Sequence, residues 1–135
     1  MERQIETEQG TCFASLKTEA QITTIQAELE AASWLSQCTR WLEAVKDPTR
    51  FKLVYLLYQQ DRLCGCDLAN ILKVSNSAVS QHLRKLKDMG LVSSYRHKQT
   101  LFYTLCQDEF VIFFTQLIPN KAVRQEPTEK RVHVQ

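Results

Sequence analysis

Apolar positions along the chain fall into short periodic runs separated by polar punctuation, and the periods predict several helices followed by one hairpin. Residues 1–18 are polar and carry no period, so a mobile arm is expected there. Over 20–29, Ile22, Ile25, Ala27 and Leu29 are loosely helical in spacing, while Trp34, Leu35, Trp41, Leu42 and Val45 repeat at helical intervals; two helices are expected. Asp47 can cap the next helix and Pro48 suits its first turn. Phe51, Leu53, Val54, Leu56, Leu57 and Tyr58 then give that helix a broad apolar face, which makes it the spine of a core.

A break at 61–63 precedes DLANIL at 67–72, a short helix expected to turn Leu68, Ile71 and Leu72 inward. After a tight connection at 73–75, Ser75 can cap a further helix whose apolar positions Val79, Leu83 and Leu86 stand four and three apart, with Gly90 as its stop. LVSSY at 91–95 and LFYTL at 101–105 are rich in strand formers and are separated by the basic stretch RHKQT, which predicts a hairpin. An apolar helix over 108–117 stops near Pro119. The expected fold is therefore mainly α with a β-hairpin wing, a winged helix-turn-helix. Its expected organisation is an arm at 1–18, the winged helix-turn-helix domain at 19–118 and a flexible tail at 119–135.

That arrangement suits duplex DNA. The second helix of such a motif presents short hydrogen-bonding side chains to base edges in the major groove, and Ser75, Asn76, Ser77, Ser80, Gln81 and His82 are of that kind. Gln81 can pair with an adenine edge, and Arg84 and Lys85 can reach phosphate or guanine. On the wing, Arg96, His97 and Lys98 place positive charge beside the helix, suited to phosphate or the minor groove. A net charge of +2 is too small to point to a polyanion by itself, so this reading rests on where the bases lie.

With 135 residues, 44% hydrophobic and 24% charged, the chain is expected to fold as one domain. No apolar run approaches a membrane span and the start lacks the order of a secretory signal, so a cytoplasmic protein without a membrane partner is expected. Five cysteines, an odd number, fit reduced thiols used for metal or redox chemistry better than a disulfide framework. The sequence has no His-Glu-x-x-His, no glycine-rich phosphate loop and no cysteine-histidine nucleophile context, which argues against an enzyme.

The segment RLCGCDLANILKVSNSAVSQHLRKLKDMGLVSSYRHKQTLFYTL resembles the core of the ArsR/SmtB family of metal-sensing bacterial repressors, over roughly residues 44–117. Its LCGCDL further resembles the cadmium- and lead-sensing, CadC-like subgroup. The resemblance implies a homodimer that binds double-stranded operator DNA and releases it on taking up metal. An apolar dimer surface including Trp34, Trp41, Phe113 and Phe114 is expected, formed by the N-terminal helices and the helix over 108–117.

Cys64 and Cys66, one residue apart before the helix-turn-helix, could converge on one ion, with Gly65 permitting the backbone. Two thiolates rarely complete a site for a soft ion, so another donor must arrive from elsewhere. The resemblance implies Cys12, often from the other subunit, which makes the expected metal set Cys12, Cys64 and Cys66. The subgroup often has a second N-terminal cysteine four residues on, where this chain has Leu16. Lead, bismuth or mercury suit three thiolates, whereas cadmium or zinc would add Cys38, a histidine or water. Cys38 and Cys106 are read as packing residues. A zinc site that many family members carry on the C-terminal helix is expected to be absent, because Phe110 and Lys121 stand where its histidines would be. The rival reading is a thiol-redox repressor on the same fold, with cysteine oxidation replacing metal as the signal.

Overall fold

The computed structural model describes residues 3–7 and 10–120, with side chains from residue 16 onward. The expected tail at 119–135 lies almost wholly outside those residues, as do Lys121 and the side chain of Cys12. The chain divides into two compact units, Met1–Cys38 and Thr39–Gln135.

In the first unit, β1 (Arg3–Thr7) and β2 (Gly10–Ser15) form an antiparallel pair, with Ile5 opposite Cys12 and Thr7 opposite Gly10. Residues 1–18 carry no apolar period, and only an arm is expected from them. Strand pairing is carried by backbone hydrogen bonds and needs no apolar alternation, so periodicity could not reveal it. Helix α1 (Glu19–Ala31) begins at a reciprocal cap: Thr18 Oγ1 accepts from Gln21 N at 3.2 Å, and Gln21 Oε1 accepts from Thr18 N at 2.9 Å. It buries none of its residues. Helix α2 (Trp34–Val45) starts in this unit and ends in the second.

The second unit holds the core. Helix α3 (Pro48–Gln60) starts where Asp47 and Pro48 predict, and Asp47 Oδ1 accepts from Thr49 N at 2.9 Å and Arg50 N at 3.0 Å. The Arg50 backbone hydrogen bond leads the effects that hold the Asp47 carboxyl below its ordinary range. Arg50 itself is buried, and its Nε donates to Ala44 O at 2.7 Å, so a cation satisfies the last carbonyls of α2 where the helix dipole favours it. From α3, Leu53, Val54 and Leu57 pack with Ala44, Leu68, Val79, Leu83, Leu86, Phe110 and Phe114, all buried.

Strand β3 (Leu63–Cys64) leads directly into α4 (Gly65–Leu72). From the sequence a break is expected at 61–63 and a helix from 67; two residues are too few to show an alternation, and it is the partner strand that makes β3 visible. Ile71 is 50% exposed rather than inward, and Leu68 and Ala69 are the residues α4 buries. Helix α5 (Asn76–Asp88) follows, with Ser75 Oγ accepting from Ala78 N at 3.1 Å. It ends in a Schellman motif: Gly90, at φ 76°, donates to Lys87 O at 2.9 Å and Leu91 N donates to Leu86 O at 3.0 Å.

Strands β4 (Val92–His97) and β5 (Thr100–Leu105) make the hairpin, and β3 adds to the other edge of β5, giving the order β3-β5-β4. Only Lys98 and Gln99 lie between the strands, so Arg96 and His97 are the end of β4 rather than part of a loop. Lys98 takes the positive φ, 56°, that such a two-residue turn requires. Helix α6 (Asp108–Thr115) completes the unit.

The apolar surface expected for a dimer is only partly on the outside. Trp41 and Phe114 are buried, Trp41 stands 5.2 Å from half-buried Phe113, and Phe51 stands 5.0 Å from Phe114. Trp34 does face solvent, 63% exposed, and the apolar side chains that α6 and its end leave out are Ile112 and Leu117. Apolar residues on all sides of a short helix do not announce which side meets its own core; the cover supplied by α2 and α3 decides it.

Candidate nucleic-acid interface and thiol cleft

Helix α5 presents one face to the core and the opposite face to solvent. Val79, Leu83 and Leu86 are buried, so Ser77, Gln81 and Arg84, four and three apart on the other side, are exposed together. Ser80 and Lys85 flank them and are also exposed. Ser75 and Asn76 lie exposed at the start of the helix, where Ser75 spends one lone pair on the cap. His82 differs: it is half-buried, on the flank of the apolar stripe, near enough to Asp47 to help lower that carboxyl. Of the wing residues, Arg96 and Lys98 are exposed and His97 is half-buried. Arg96 also donates to Gln99 O at 3.4 Å across the turn.

Two cations that the motif did not single out join this surface. Arg40, from α2, lines a cleft of about 470 Å³ with Gln81, Arg84, Lys85, Asp88 and Met89. Lys87 donates from α5 to Ser94 Oγ on β4 at 2.7 Å and so fastens the helix to the wing. Arg40 lies far in sequence from the helix-turn-helix, so no local pattern could find it; Lys87 lies within α5, but its partner Ser94 is on another element.

On its other face the wing is anchored by Arg62. Its guanidinium donates to the Tyr95 hydroxyl at 3.0 Å and stands 5.3 Å from the centroid of the Phe102 ring, which stacks on Tyr95 at 5.7 Å. Thr104 Oγ1 donates to Asp61 O at 2.8 Å, tying β5 to the end of α3.

The Cys-x-Cys pair sits where strand becomes helix. Cys64 ends β3 opposite Phe102 and is the N-cap of α4, without a side-chain capping bond; Cys66 is two residues into the helix and exposed. Both are free thiols and line an open cleft of about 400 Å³ with Gly65, Gln99, Thr100, Leu101 and Tyr103. Among the described residues no three of His, Cys, Asp and Glu stand close enough to hold an ion. Thiol sulfurs are the donor type that soft cations take. Of the expected third ligand, Cys12, only the backbone in β2 is described.

The remaining cysteines differ from this pair. Cys106 Sγ donates to Gly90 O at 2.9 Å, and burial pushes its thiol up from the ordinary range. Cys38 is a half-buried free thiol. Phe110, at the first-histidine position of the C-terminal zinc site, is fully buried with its ring 5.8 Å from Trp41.

A capped helix-turn-helix followed by a three-stranded wing, with the polar face of the second helix open, defines a winged helix-turn-helix of the kind DNA-binding regulators carry. Residues 47–94 match the family model described as "Bacterial regulatory protein, arsR family". The chain is 33% identical over 97 residues to a "Transcriptional repressor SmtB homolog" of Synechocystis, covering 72% of this chain and 73% of that protein. It is 42% identical over 69 residues to a "Cadmium resistance transcriptional regulatory protein CadC homolog" of Staphylococcus aureus, 51% of this chain and 56% of that protein. Among solved structures it is similar to HlyU from Vibrio cholerae, with a TM-score of 0.59 and 30% identity over 64% of this chain and 92% of that one.

The chain belongs to the ArsR/SmtB family of transcriptional regulators. These relatives are regulators of transcription, in line with reading the chain as a DNA-binding protein rather than an enzyme. Its match to the CadC homolog spans little more than half of that protein's length. Among the described residues no helix is long and apolar enough to cross a membrane.

Proposed function

We propose that the protein is a metal-responsive repressor that binds operator DNA as a homodimer and releases it when a soft metal ion is held by Cys64 and Cys66 with Cys12. The observation that carries this reading is the placing of two free thiols, one of them exposed, at the strand-to-helix junction that opens the helix-turn-helix. The relative named for cadmium resistance supports a metal inducer, with cadmium, lead, mercury, bismuth and zinc as the ions to try.

On the DNA side, Ser77, Ser80, Gln81 and Arg84 meet base edges, with Ser75 and Asn76 at the helix start and His82 at the flank. Lys85, Arg96, His97 and Lys98 meet the backbone or minor groove. Two copies must place their recognition helices about 34 Å apart, or a multiple of that, to match successive major grooves. A bound ion would cross-link the residue 12 arm to the start of α4. Linkage then requires that whatever occupancy of Cys64 and Cys66 costs in DNA affinity, DNA costs equally in metal affinity, about 1–3 kcal/mol for a typical allosteric pair. Because the thiols must lose protons to bind, metal affinity falls as pH falls.

The test is fluorescence anisotropy of the reduced, metal-free protein on a promoter fragment, titrated with each ion, beside a Cys64→Ser, Cys66→Ser variant. Release by a soft ion that the variant does not show is the expected result. Release by peroxide without metal would transfer the signal to thiol oxidation, and metal affinity unchanged between about pH 6 and about pH 8 would remove the cysteines from the site.

A further inference from the structure

Between the thiol cleft and the recognition helix stands one side chain that touches both. Tyr103 lines the cleft that holds Cys64, Gly65 and Cys66, and it also lines a second cleft, about 330 Å³, with Ser80, Leu83, Arg84, Lys87 and Asp88 of α5. Its ring lies against the Cys-x-Cys backbone: a β-carbon on Gly65 would sit 3.7 Å from Tyr103 Cε2, an ordinary van der Waals contact. On the central strand β5, Tyr103 is paired with Leu63 of β3 on one side and Ser94 of β4 on the other. Ser94 accepts from Lys87 of α5 at 2.7 Å, so the same cross-strand row meets the recognition helix twice.

We infer that Tyr103 is the positioning residue that couples the Cys64/Cys66 site to the recognition helix, an inference that rests on the metal-sensing reading above. The physical basis is adjacency: the half-buried Tyr103 ring has its edge beside Gly65 and also borders the cleft lined by Ser80, Leu83 and Arg84 of α5, so a shift of the Gly65 backbone toward it alters the surface that α5 faces. Drawing the two sulfurs toward a common ion moves the backbone at Gly65, and the ring edge against it shifts within the row that carries Ser94. On the far side are Ser80 and Arg84, both on the open face of α5, and Lys87, which fastens α5 to the wing. The phenolic oxygen has no part in this; the ring does the transmitting.

The test compares wild type, Tyr103→Ala and Tyr103→Phe in the full-length dimer. Cadmium is titrated while thiolate-to-cadmium absorption is followed, and operator affinity is measured by anisotropy with and without cadmium. The quantity read is the ratio of the two operator dissociation constants, about 5- to 150-fold for a coupled pair of sites. In wild type and Tyr103→Phe this ratio stands well above one. In Tyr103→Ala it falls to within about twofold of one while the cadmium absorption still titrates, so that the two sites bind but no longer communicate. A Tyr103→Ala protein that keeps the wild-type ratio overturns the coupling role alone, as does a Tyr103→Phe protein that loses it. If Tyr103→Ala loses its helical circular dichroism, Tyr103→Leu, which keeps apolar bulk without the ring, is read by the same criteria. A wild-type protein with no thiolate-to-cadmium band, or with a band and a ratio of one, overturns the metal-sensing reading and this inference with it.

Discussion

Val79, Leu83 and Leu86 on α5 and Ile22, Ile25 and Leu29 on α1 are spaced alike, at steps of three and four, yet their fates differ. The α5 trio is buried at 1% exposure or less, whereas Ile25 is 49% and Leu29 61% exposed and α1 buries nothing. The Thr39–Gln135 unit holds the buried core and presents the polar face of α5; in the Met1–Cys38 unit, α1 buries none of its residues. An apolar stripe of that kind gains most from a second copy, because apolar surface removed from water is worth about 25 cal/mol per Å². In the homodimer proposed above, the α1 stripe is the face a second copy would cover.

The contrast can be tested from its strongest consequence down. Phe110→Ala empties the centre of the second unit and is expected to cost about 3–5 kcal/mol in denaturant unfolding, whereas Leu29→Ala changes the unfolding of that unit by no more than about 0.5 kcal/mol. A comparable loss from both would show that α1 is part of the same core. Next, Ile25→Glu combined with Leu29→Glu is expected to give a folded monomer by sedimentation and to weaken operator binding about tenfold or more, because half-sites are then bound singly. A doubly charged α1 that still sediments as a dimer places the interface elsewhere, with Ile112 and Leu117 the next residues to change.

Smaller effects follow within the second unit. Lys85→Ala is expected to weaken operator binding and reduce its dependence on salt concentration by about one unit of log–log slope, as loss of one backbone contact should. The same change in Arg40, which shares its cleft, should act in the same direction if α2 reaches the backbone. Among the thiols, Cys66 is expected to react with iodoacetamide well before Cys106, whose thiol is held protonated by burial and donates to Gly90; peptide mapping of the alkylated protein decides the order.

The smallest predicted effect concerns pH. Asp47 is held below its ordinary value, chiefly by the Arg50 backbone hydrogen bond, so its cap contributes stability above the unfolded value and loses it as pH falls through the folded one. The difference in Tm between wild type and Asp47→Ala should therefore shrink between about pH 6 and about pH 2. A constant difference would mean that the cap acts by its shape and not by its charge.

Much of this molecule could be read locally. Asp47, Ser75 and Gly90 mark helix ends because each solves a backbone hydrogen-bonding or φ problem within a few residues of itself, and the step of four and three in Val79, Leu83 and Leu86 names the buried face of α5. The exposed set Ser77, Ser80, Gln81, Arg84 and Lys85 follows from that face by helix geometry alone. Adjacency of Cys64 and Cys66 on the chain likewise needs no fold to bring the two together.

What depended on distant partners could not be read so. Strand β3 exists because β5 lies beside it, and β1 and β2 pair through backbone groups that leave no side-chain period. Trp41 and Phe114 turned out to be core residues, and Ile71 an exposed one, because burial is set by the neighbour that arrives and not by the hydrophobicity of the residue. The place of Arg40 beside α5, and of Tyr103 between the thiols and the recognition helix, arises only when elements far apart in sequence are packed together. Local sequence determined the helix caps, the face of α5 and the cysteine pair, since those rest on interactions a few residues long; tertiary packing decided what each face meets, since that depends on the rest of the chain.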